Sequence, residues 1–422
     1  MPMAAEEHAP SVAITCNGPG EFAGWARPLL VRLFERRPDV NVHLFFVPDD
    51  YATGREPEVA RELFPQAAVH DAKAYLGIAL GRKGAAVPPR FDIVQYLGGD
   101  LMHAARLAKR FSAQAATYKF SRSRYRDVFV RAFAVDMSNV EQLVRWGVRR
   151  DRIVLAGNLA IDGALLEAQT ATAQTSLARD GILIMPGSHL AQVAQLSPFF
   201  LTVALHIRRQ RPQLPIAFGV SPFTALEDIR RAVASGGDAR FFSAAGDVIT
   251  EGGDAYLCDA EHRVRFPIVY HALRAATAAR LALTIPGTKT IELAALGTPM
   301  ISCAPINAPE MIAINGPLTY LDRVPFVGVP LKRAAVLAVG RRFPFLAQPN
   351  IDVQSPMIPE LRGTLMPGHV ARIALRYFDD DAWLRESRAR LRALYAEHTG
   401  AAARMADGIF ECASASQFAI AQ

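Results

Sequence analysis

Short apolar runs alternate along the chain with longer stretches in which apolar residues recur every three or four positions. The short runs are typical of buried parallel strands, and the longer stretches are typical of helices that cover a sheet. In the first half, the runs that predict strands are SVAITCN, VNVHLFFVP, FDIVQYLG, AQAATYKF, VFVRAFAVD and RIVLAGN. The pattern therefore predicts an α/β fold with a parallel sheet.

A second series of strands follows, with the runs GILIMPG, PIAFGVS, ARFFSA, RLALTIP and PMISCAP. Small and polar residues without a strong apolar period fill residues 166–180, which we interpret as a linker. Two series predict two Rossmann-like, doubly wound domains that face a cleft, with ligands beyond the carboxyl ends of the strands. We assign the acceptor-binding domain to residues 1–165 and the donor-binding domain to 181–365. Residues 366–397 are expected to form helices that pack across the domains, and 398–422 a tail with little pattern.

Composition excludes several classes of protein. Of the 422 residues, 51% are apolar and 21% are charged, which is ordinary for a folded globular chain. The net charge of +7 favours phosphates or acidic lipids as partners. Cys16, Cys258, Cys303 and Cys412 are too scattered for a zinc site or a disulfide framework, so we expect buried thiols. Without a signal-like start or a run of about 18 uncharged apolar residues, we expect a cytoplasmic protein, with peripheral contact to the inner face of the membrane left open.

Two strand-to-helix junctions of the first domain carry candidate chemistry. In TCNGPGEFAGW, Gly18, Gly20 and Gly24 would let a ligand approach the backbone, and the helix start beside Glu21 favours an anion. Such turns are also common without a ligand. In VQYLGGDLMHAARLAKRF, Asp100 is expected at the N-cap of a helix, either as a simple cap or as a general base. His103, one turn later, is expected to be an exposed helix residue.

Two junctions of the second domain favour phosphate binding. In LIMPGSH, the amides of Gly187 and Ser188 and the Ser188 hydroxyl could hold a phosphate or close over a sugar, unless Ser188 is a plain cap.

In LTIPGTKTIELAALGTPMIS, Gly287, Thr288 and Thr290 bring amides and hydroxyls to a helix start. Glu292 follows, where its carboxylate could accept from both hydroxyls of a ribose or complete a capping box. A triphosphatase loop, a nucleophile elbow and a metal-binding motif are all missing from the sequence.

Six short motifs in this order resemble the lipid-A-disaccharide synthases, which are inverting glycosyltransferases with the two-domain GT-B architecture. The matching motifs, across roughly residues 11–395, are GPGEFAG, FDIVQYLGGDLMHAARLAKRF, VLAGNLAID with Asp162, LIMPGS followed by AQVAQL, PGTKTIELAALGTPMI, and QPNIDVQSPMIPEL with Asn350 and Glu360.

The resemblance implies a UDP-sugar donor, a lipid-linked sugar acceptor and no metal or other cofactor. It implies that Asp100 is the base and that Glu21 lies at the donor or acceptor sugar. Asn350 and Glu360 would approach the cleft from the second domain. The residues expected to bind substrate, from the motifs and the resemblance together, are Gly18, Gly20, Gly24, Gly187, Ser188, His189, Gly287, Thr288, Thr290, Glu292, Asn350 and Glu360.

Several departures from the family leave the acceptor open. His189 stands where the family has arginine, and Trp25 stands where it has aspartate. The segment YKFSRSRYRDVF, with Arg122, Arg124 and Arg126, replaces an aromatic-rich stretch. These basic residues could contact anionic lipid headgroups or form a solvated strand edge.

Two alternatives stay open beside the glycosyltransferase. One is a related enzyme with another substrate, such as a UDP-sugar epimerase. The other is a non-catalytic protein that binds a nucleotide or an anionic membrane. We expect no nucleic-acid partner, and the sequence leaves the oligomeric state open, a homodimer included.

Overall fold

The chain forms two compact units. The computed structural model describes residues 9–49, 52–82, 87–119, 125–169, 178–187, 189–308, 333–334 and 342–421. Unit 1 comprises Met1–Leu166 together with Glu397–Gln422, and unit 2 comprises Glu167–Ala396. Most of the linker that the sequence predicts, residues 170–177, lies outside the described residues.

Unit 1 is built on a parallel sheet of seven strands in the order β3-β2-β1-β4-β5-β6-β7. This is a doubly wound order, because the chain starts in the centre and reverses direction after β3. The strands are β1 Ser11–Cys16, β2 Asn41–Phe46, β3 Ala68–His70, β4 Ile93–Tyr96, β5 Gln114–Tyr118, β6 Phe129–Ala134 and β7 Ile153–Leu155.

The first helical segment of unit 1 begins directly after β1. Helix α1 covers Pro19–Glu21, passes through a π-helical turn at Phe22–Ala26 and continues as α2, Arg27–Arg36. The next helices are α3 Glu56–Leu63, α4 Ala72–Ala79, α5 Leu101–Arg110, α6 Met137–Arg145 and α7 Leu159–Gln169. Unit 1 also contains the helix Ala401–Ala421, which is numbered α15 because it follows the helices of unit 2 along the chain. Helix α15 packs against α2 and the strands β4 and β5, and its buried residues, such as Met405 and Ile409, are part of the unit 1 core.

The sheet of unit 2 has eight strands in the order β10-β11-β12-β9-β8-β13-β14-β15. Five of its pairings are parallel, whereas β10–β11 and β11–β12 are antiparallel. The strands are β8 Ile182–Ile184, β9 Ile216–Gly219, β10 Gly246–Glu251, β11 Asp254–Asp259, β12 Arg265–Val269, β13 Leu281–Thr284, β14 Met300–Pro305 and β15 Glu360–Gly363. The two parallel-dominated sheets confirm the predicted α/β class.

Helix α8, Leu190–Gln210, runs through the core of unit 2. By length and composition it is apolar enough to span a membrane, but 67% of the relevant window is buried within the fold, as in the core helix of a globular domain. The other described helices are α9 Leu226–Ala234, α10 Ala272–Ala278, α11 Thr288–Ala295, α12 Gln348–Val353, α13 Pro367–Phe378 and α14 Asp381–Tyr395.

Two sequence predictions about these elements are wrong. The run ARFFSA is not a strand, because Ala239–Phe241 forms a 3-10 helix capped by Asp238, whose side chain accepts a hydrogen bond from the Arg240 amide. The apolar side chain of Phe241 packs against Phe199, with ring centroids 6.2 Å apart. Residues 398–422 are not an unpatterned tail, since α15 occupies most of them.

The four cysteines are free and buried, as the sequence predicts. Their burial is the expected behaviour of structural thiols, which act as small apolar side chains.

Candidate functional site

The loops after β1 and β4 lie side by side because these strands are neighbours in the parallel sheet. A Cβ atom placed on Gly98 would lie 2.0 Å from Asn17 Oδ1 and 3.2 Å from Glu21 Cγ. The Asn17 amide in turn donates to Asp49 Oδ2 at 3.2 Å. A glycine at position 98 therefore allows the two predicted loops of unit 1 to meet.

Glu21 and Tyr96 lie in this loop cluster. Burial raises the pKa of Glu21, and nearby Asp49 raises it further, while Lys119 opposes the shift. Burial, together with the charges of Asp100 and Glu21, raises the pKa of Tyr96 to about 12. The Tyr96 hydroxyl donates to the Gly99 carbonyl at 2.8 Å. Sequence reasoning missed Tyr96 because it was counted only as part of a strand.

Asp100 is the N-cap of α5. Its Oδ1 atom accepts from the Met102 amide at 2.7 Å, and the side chain is exposed. Among the described residues, its Oδ2 atom makes no hydrogen bond, so one carboxylate oxygen fixes the helix start and the other faces outward. Capping, one of the two expected roles, is confirmed; the role as a base remains a prediction.

His103 is not the exposed helix residue that the sequence analysis expected. It is half-buried, its Nδ1 atom lies 2.7 Å from the Tyr75 hydroxyl, and burial lowers its pKa. The partner of His103 is thus Tyr75, an aromatic residue of α4, and the sequence pattern could not predict this contact.

The three glycines of the first loop differ in what surrounds them. Gly20 is exposed, and a Cβ atom placed on it would meet nothing within 4 Å. Gly18 is buried. Gly24 is also buried, and its carbonyl oxygen lies 2.9 Å from the position of a Cβ atom on Gly163 in α7. Gly24 thus permits close packing of α7 on the π-helical turn, and its expected contact with substrate remains a prediction.

Asp162, the aspartate of the VLAGNLAID motif, anchors the end of the chain. Its two carboxylate oxygens accept from the amides of Gly400 at 2.8 Å and Ala402 at 2.7 Å. Burial raises its pKa, whereas these two hydrogen bonds lower it. The residue therefore fixes the first turn of α15 within unit 1.

In unit 2, the loop after β8 turns sharply at Gly187, whose φ of +125° favours glycine. A Cβ atom there would lie 2.6 Å from Gln192 Oε1 and 3.0 Å from Ile285 Cδ1. His189 is the N-cap of α8, and its amide donates to Gln192 Oε1 at 3.4 Å. Ser188, expected to hold a phosphate, lies outside the described residues.

The loop after β13 leaves the start of α11 open. Gly287 and Thr288 are exposed, Gly287 has a φ of +134°, and a Cβ atom placed on it would meet nothing within 4 Å. Thr290 is buried instead: its hydroxyl donates to the Gly287 carbonyl at 2.7 Å and accepts from the Gln348 amide at 3.1 Å. Of the predicted nucleotide loop, Gly287 and Thr288 are thus accessible, whereas Thr290 braces the turn.

Glu292 is buried and ion-paired. Its Oε2 atom lies 2.6 Å from Lys289 Nζ, one helical turn away. Burial lowers the pKa of Lys289, but the carboxylates of Glu292 and Glu167 outweigh burial and raise it. Sequence reasoning missed Lys289, although its spacing of three residues from Glu292 is a signal for a helical ion pair. A contact between Glu292 and a ribose remains a prediction.

Asn350 and Glu360 form one buried network. The Asn350 amide donates to the Ile358 carbonyl at 2.9 Å and to Glu360 Oε1 at 2.8 Å, and its oxygen accepts from the Met357 and Ile358 amides at 2.7 and 2.8 Å. Glu360 also accepts from Arg362 and from the amides of residues 346 and 347. Both side chains hold the local backbone, and a direct contact with substrate remains a prediction.

Two basic side chains, one in the basic segment and one just after it, make contacts in the structure. Lys119 Nζ lies 6.0 Å from the ring centroid of Trp25, and Arg131 pairs with Glu411 at 3.6 Å. Residues 120–124, including Arg122 and Arg124, and the Arg126 side chain lie outside what the structure describes. Within the described residues, no group of three or more His, Cys, Asp or Glu side chains could hold a metal ion.

Comparison with known proteins gives structural matches. No protein-family model matches the chain, and neither does a curated protein. A Listeria monocytogenes protein assigned as a UDP-N-acetylglucosamine 2-epimerase is 13% identical, with a TM-score of 0.55 and coverage of 94% of each chain. The glycotransferase of kitacinnamycin is 14% identical, with a TM-score of 0.52 and coverage of 96% of this chain and 99% of that one.

The UDP-GlcNAc 2-epimerase of Neisseria meningitidis, solved bound to UDP-GlcNAc, is 10% identical, with a TM-score of 0.50 and coverage of 95% of this chain and 99% of that one. At such low identities the likeness shows the fold, which is the two-domain Rossmann-like architecture of GT-B enzymes.

Proposed function

We propose that the protein is an inverting glycosyltransferase that uses a UDP-sugar. It would transfer a glucosamine, 2,3-diacylated as in lipid-A-disaccharide synthases, from UDP to a lipid-linked acceptor such as 2,3-diacylglucosamine 1-phosphate. The product would be a β-1,6 disaccharide in lipid A biosynthesis. The acceptor half of this proposal rests on the resemblance of the sequence motifs.

The donor half rests on the open start of α11. The exposed Gly287 and Thr288 present backbone amides at the positive end of a helix, where a diphosphate is favoured. Lys289 follows in the first turn of α11, where Glu292 matches its charge. The fold supports the same ligand, since the similar Neisseria meningitidis structure is bound to UDP-GlcNAc.

The proposed reaction is a single displacement. The outward Oδ2 atom of Asp100 would take the proton from the acceptor hydroxyl, whose oxygen forms the new bond to the anomeric carbon. The bond from that carbon to the UDP oxygen breaks, and UDP leaves with the electron pair. The amides and the positive end of the helix dipole at the start of α11 would stabilise the charge on the departing diphosphate.

The test is UDP release from UDP-2,3-diacylglucosamine in the presence of 2,3-diacylglucosamine 1-phosphate. Asp100→Ala should lower kcat by about 100-fold or more, whereas Asp100→Asn should keep the helix cap and lose activity to a similar degree. Equal turnover by wild type and Asp100→Asn would remove Asp100 as the base. If wild type shows no turnover with this pair, the proposed acceptor or donor is wrong.

A UDP-sugar epimerase is the second candidate, favoured by two of the three similar structures, which carry that name. An epimerase needs no lipid acceptor. Conversion of a soluble UDP-sugar to its epimer by the purified protein alone, observed by proton NMR, would favour this candidate over the transferase. Retained binding of UDP without either activity would favour a non-catalytic protein.

A further inference from the structure

A basic pocket lies in unit 2, at the amino ends of the strands β8 and β13, whereas the loops described above follow their carboxyl ends. It has a volume of about 470 Å³ and is lined by residues 179–180, 277–280 and the first half of α14. Asp180 precedes β8 and Gly187 follows it, so the pocket and the Gly187 loop lie at the two ends of the same strand. Its size is within the range of small-ligand sites.

Four arginines and two aspartates line this pocket, which gives it a net charge of +2. Asp381, Arg385 and Arg388 are spaced four and three residues apart on α14, so they share one face of the helix. The buried Leu384 forms an apolar part of the lining. The arginines come from three separate chain segments, so the tertiary fold creates the positive charge.

Each aspartate lies near one arginine, and one of the two forms an ion pair. Arg280 pairs with Asp381, donates to the Phe378 carbonyl at 3.0 Å and lies over the Phe378 ring. Burial and the nearby charge of Arg392 lower the pKa of the half-buried Arg388, and the charge of Asp180 opposes this shift. Within the part of the chain that the structure describes, the Arg388 side chain makes one hydrogen bond, a long one of 3.5 Å to the Ala279 carbonyl.

The other two arginines are available to a ligand. Within the described ranges, the side chains of Arg179 and Arg385 make no hydrogen bond or ion pair, and both are exposed at the pocket. A planar guanidinium matches the oxygens of a phosphate in a two-pronged hydrogen bond. The net charge of +2 at the pocket equals in magnitude the charge of one dianionic phosphate.

We propose that this pocket binds a phosphate monoester group, with Arg179 and Arg385 as its principal ligands. The group can belong to a free phosphate, a soluble phosphomonoester or the headgroup of phosphatidic acid, since all three present the same dianionic end. This site is additional to the nucleotide loop and does not depend on the proposed transferase activity.

The test measures binding by the full chain. Isothermal titration with inorganic phosphate and with glycerol 3-phosphate, at ionic strength held constant with sodium chloride, should give saturable binding. The double variant Arg179→Gln, Arg385→Gln should weaken it at least tenfold. Arg390→Gln is the matched control, because Arg390 is exposed on the same helix but does not line the pocket. Thr288→Glu, which blocks the nucleotide loop with a negative charge, should also leave the affinity unchanged.

Vesicles distinguish the sources of the phosphate. Flotation with phosphatidylcholine vesicles, with and without phosphatidic acid, is compared for wild type and the double variant. Binding to the soluble probes indicates a free phosphate or phosphomonoester, and loss of flotation in the double variant indicates a lipid headgroup. Equal affinity of wild type and double variant for every probe, loss of phosphate binding in Thr288→Glu, or no binding to any probe at millimolar concentration would overturn the proposal. Thermal melting of the variants checks that they are folded.

Discussion

Replacement of Gly163 by alanine tests the close packing of α7 on the first loop of unit 1. In an exposed helix this change would stabilise the protein by about 1 kcal/mol, because alanine loses less backbone entropy than glycine. Here the new Cβ atom would lie 2.9 Å from the Gly24 carbonyl oxygen and 3.1 Å from the Gly24 Cα atom. Both are backbone atoms, so no side chain can rotate away.

Crowding of this kind costs about 1–3 kcal/mol. Because the crowded atoms belong to the backbone, we expect the upper part of this range, about 2–3 kcal/mol, which exceeds the gain in helix propensity. We therefore expect Gly163→Ala to lower the free energy of unfolding of unit 1 by about 1–2 kcal/mol. For a unit of this size, that corresponds to a melting temperature lower by about 2–8 °C. The measurement is urea unfolding monitored by circular dichroism, with the two units fitted as separate transitions.

Gly20→Ala is the matched control. Gly20 lies in α1, is exposed and has nothing within 4 Å of a new Cβ atom, so this variant should be as stable as wild type or slightly more stable. If Gly163→Ala proves as stable as Gly20→Ala, the close packing on Gly24 does not require a glycine at position 163.

Three further predictions concern buried polar groups. His43 and His70 stack with ring nitrogens 3.0 Å apart, and burial lowers the pKa of His43 to about 4. Because the unfolded chain binds this proton from about pH 6.5 downward, the free energy of unfolding decreases by about 2 kcal/mol when the pH is lowered from 7.5 to 5. In urea unfolding, His43→Gln should lose less free energy of unfolding over that interval than wild type. Parallel pH curves for the two proteins would contradict this. Asp162→Ala should destabilise unit 1 by about 1–2 kcal/mol and speed proteolysis before α15, whereas Asp407→Ala, which breaks an exposed ion pair with Arg36 at 3.2 Å, should cost less than about 1 kcal/mol. Asn350→Ala should destabilise unit 2 by about 2–4 kcal/mol, since it leaves buried partners unpaired; an unchanged melting temperature would show that Glu360 holds the segment alone.

Long apolar runs made most of the strands predictable. Strands such as β1 and β13 are fully buried, and most of their residues are apolar. β3 and β15 were missed because they have three and four residues and partly exposed side chains. The strand β12 was missed as well, and so was the antiparallel pair β10–β11. The turn of that pair is nevertheless marked in the sequence, because Gly252 and Gly253 both have positive φ, as a two-residue type I′ hairpin turn requires.

The candidate loops could be predicted because each directly follows a strand. What fills the space around them could not, since it depends on residues far away in the sequence. Gly24 meets Gly163, and Thr290 meets the Gln348 amide, through contacts that only the folded chain creates. The Lys289–Glu292 pair is the exception, because its spacing is local.

The return of α15 to unit 1 has a consequence for folding during synthesis. Ala401, Ala402, Met405, Ala406 and Ile409 are at most 1% exposed, so this helix fills part of the unit 1 interior. The ribosome makes the whole of unit 2 before it makes α15. Unit 2 can therefore fold first. Unit 1, although its first residues are made earlier, keeps an uncovered apolar face until α15 emerges from the ribosome. A nascent chain halted before residue 397 should bind chaperones through unit 1.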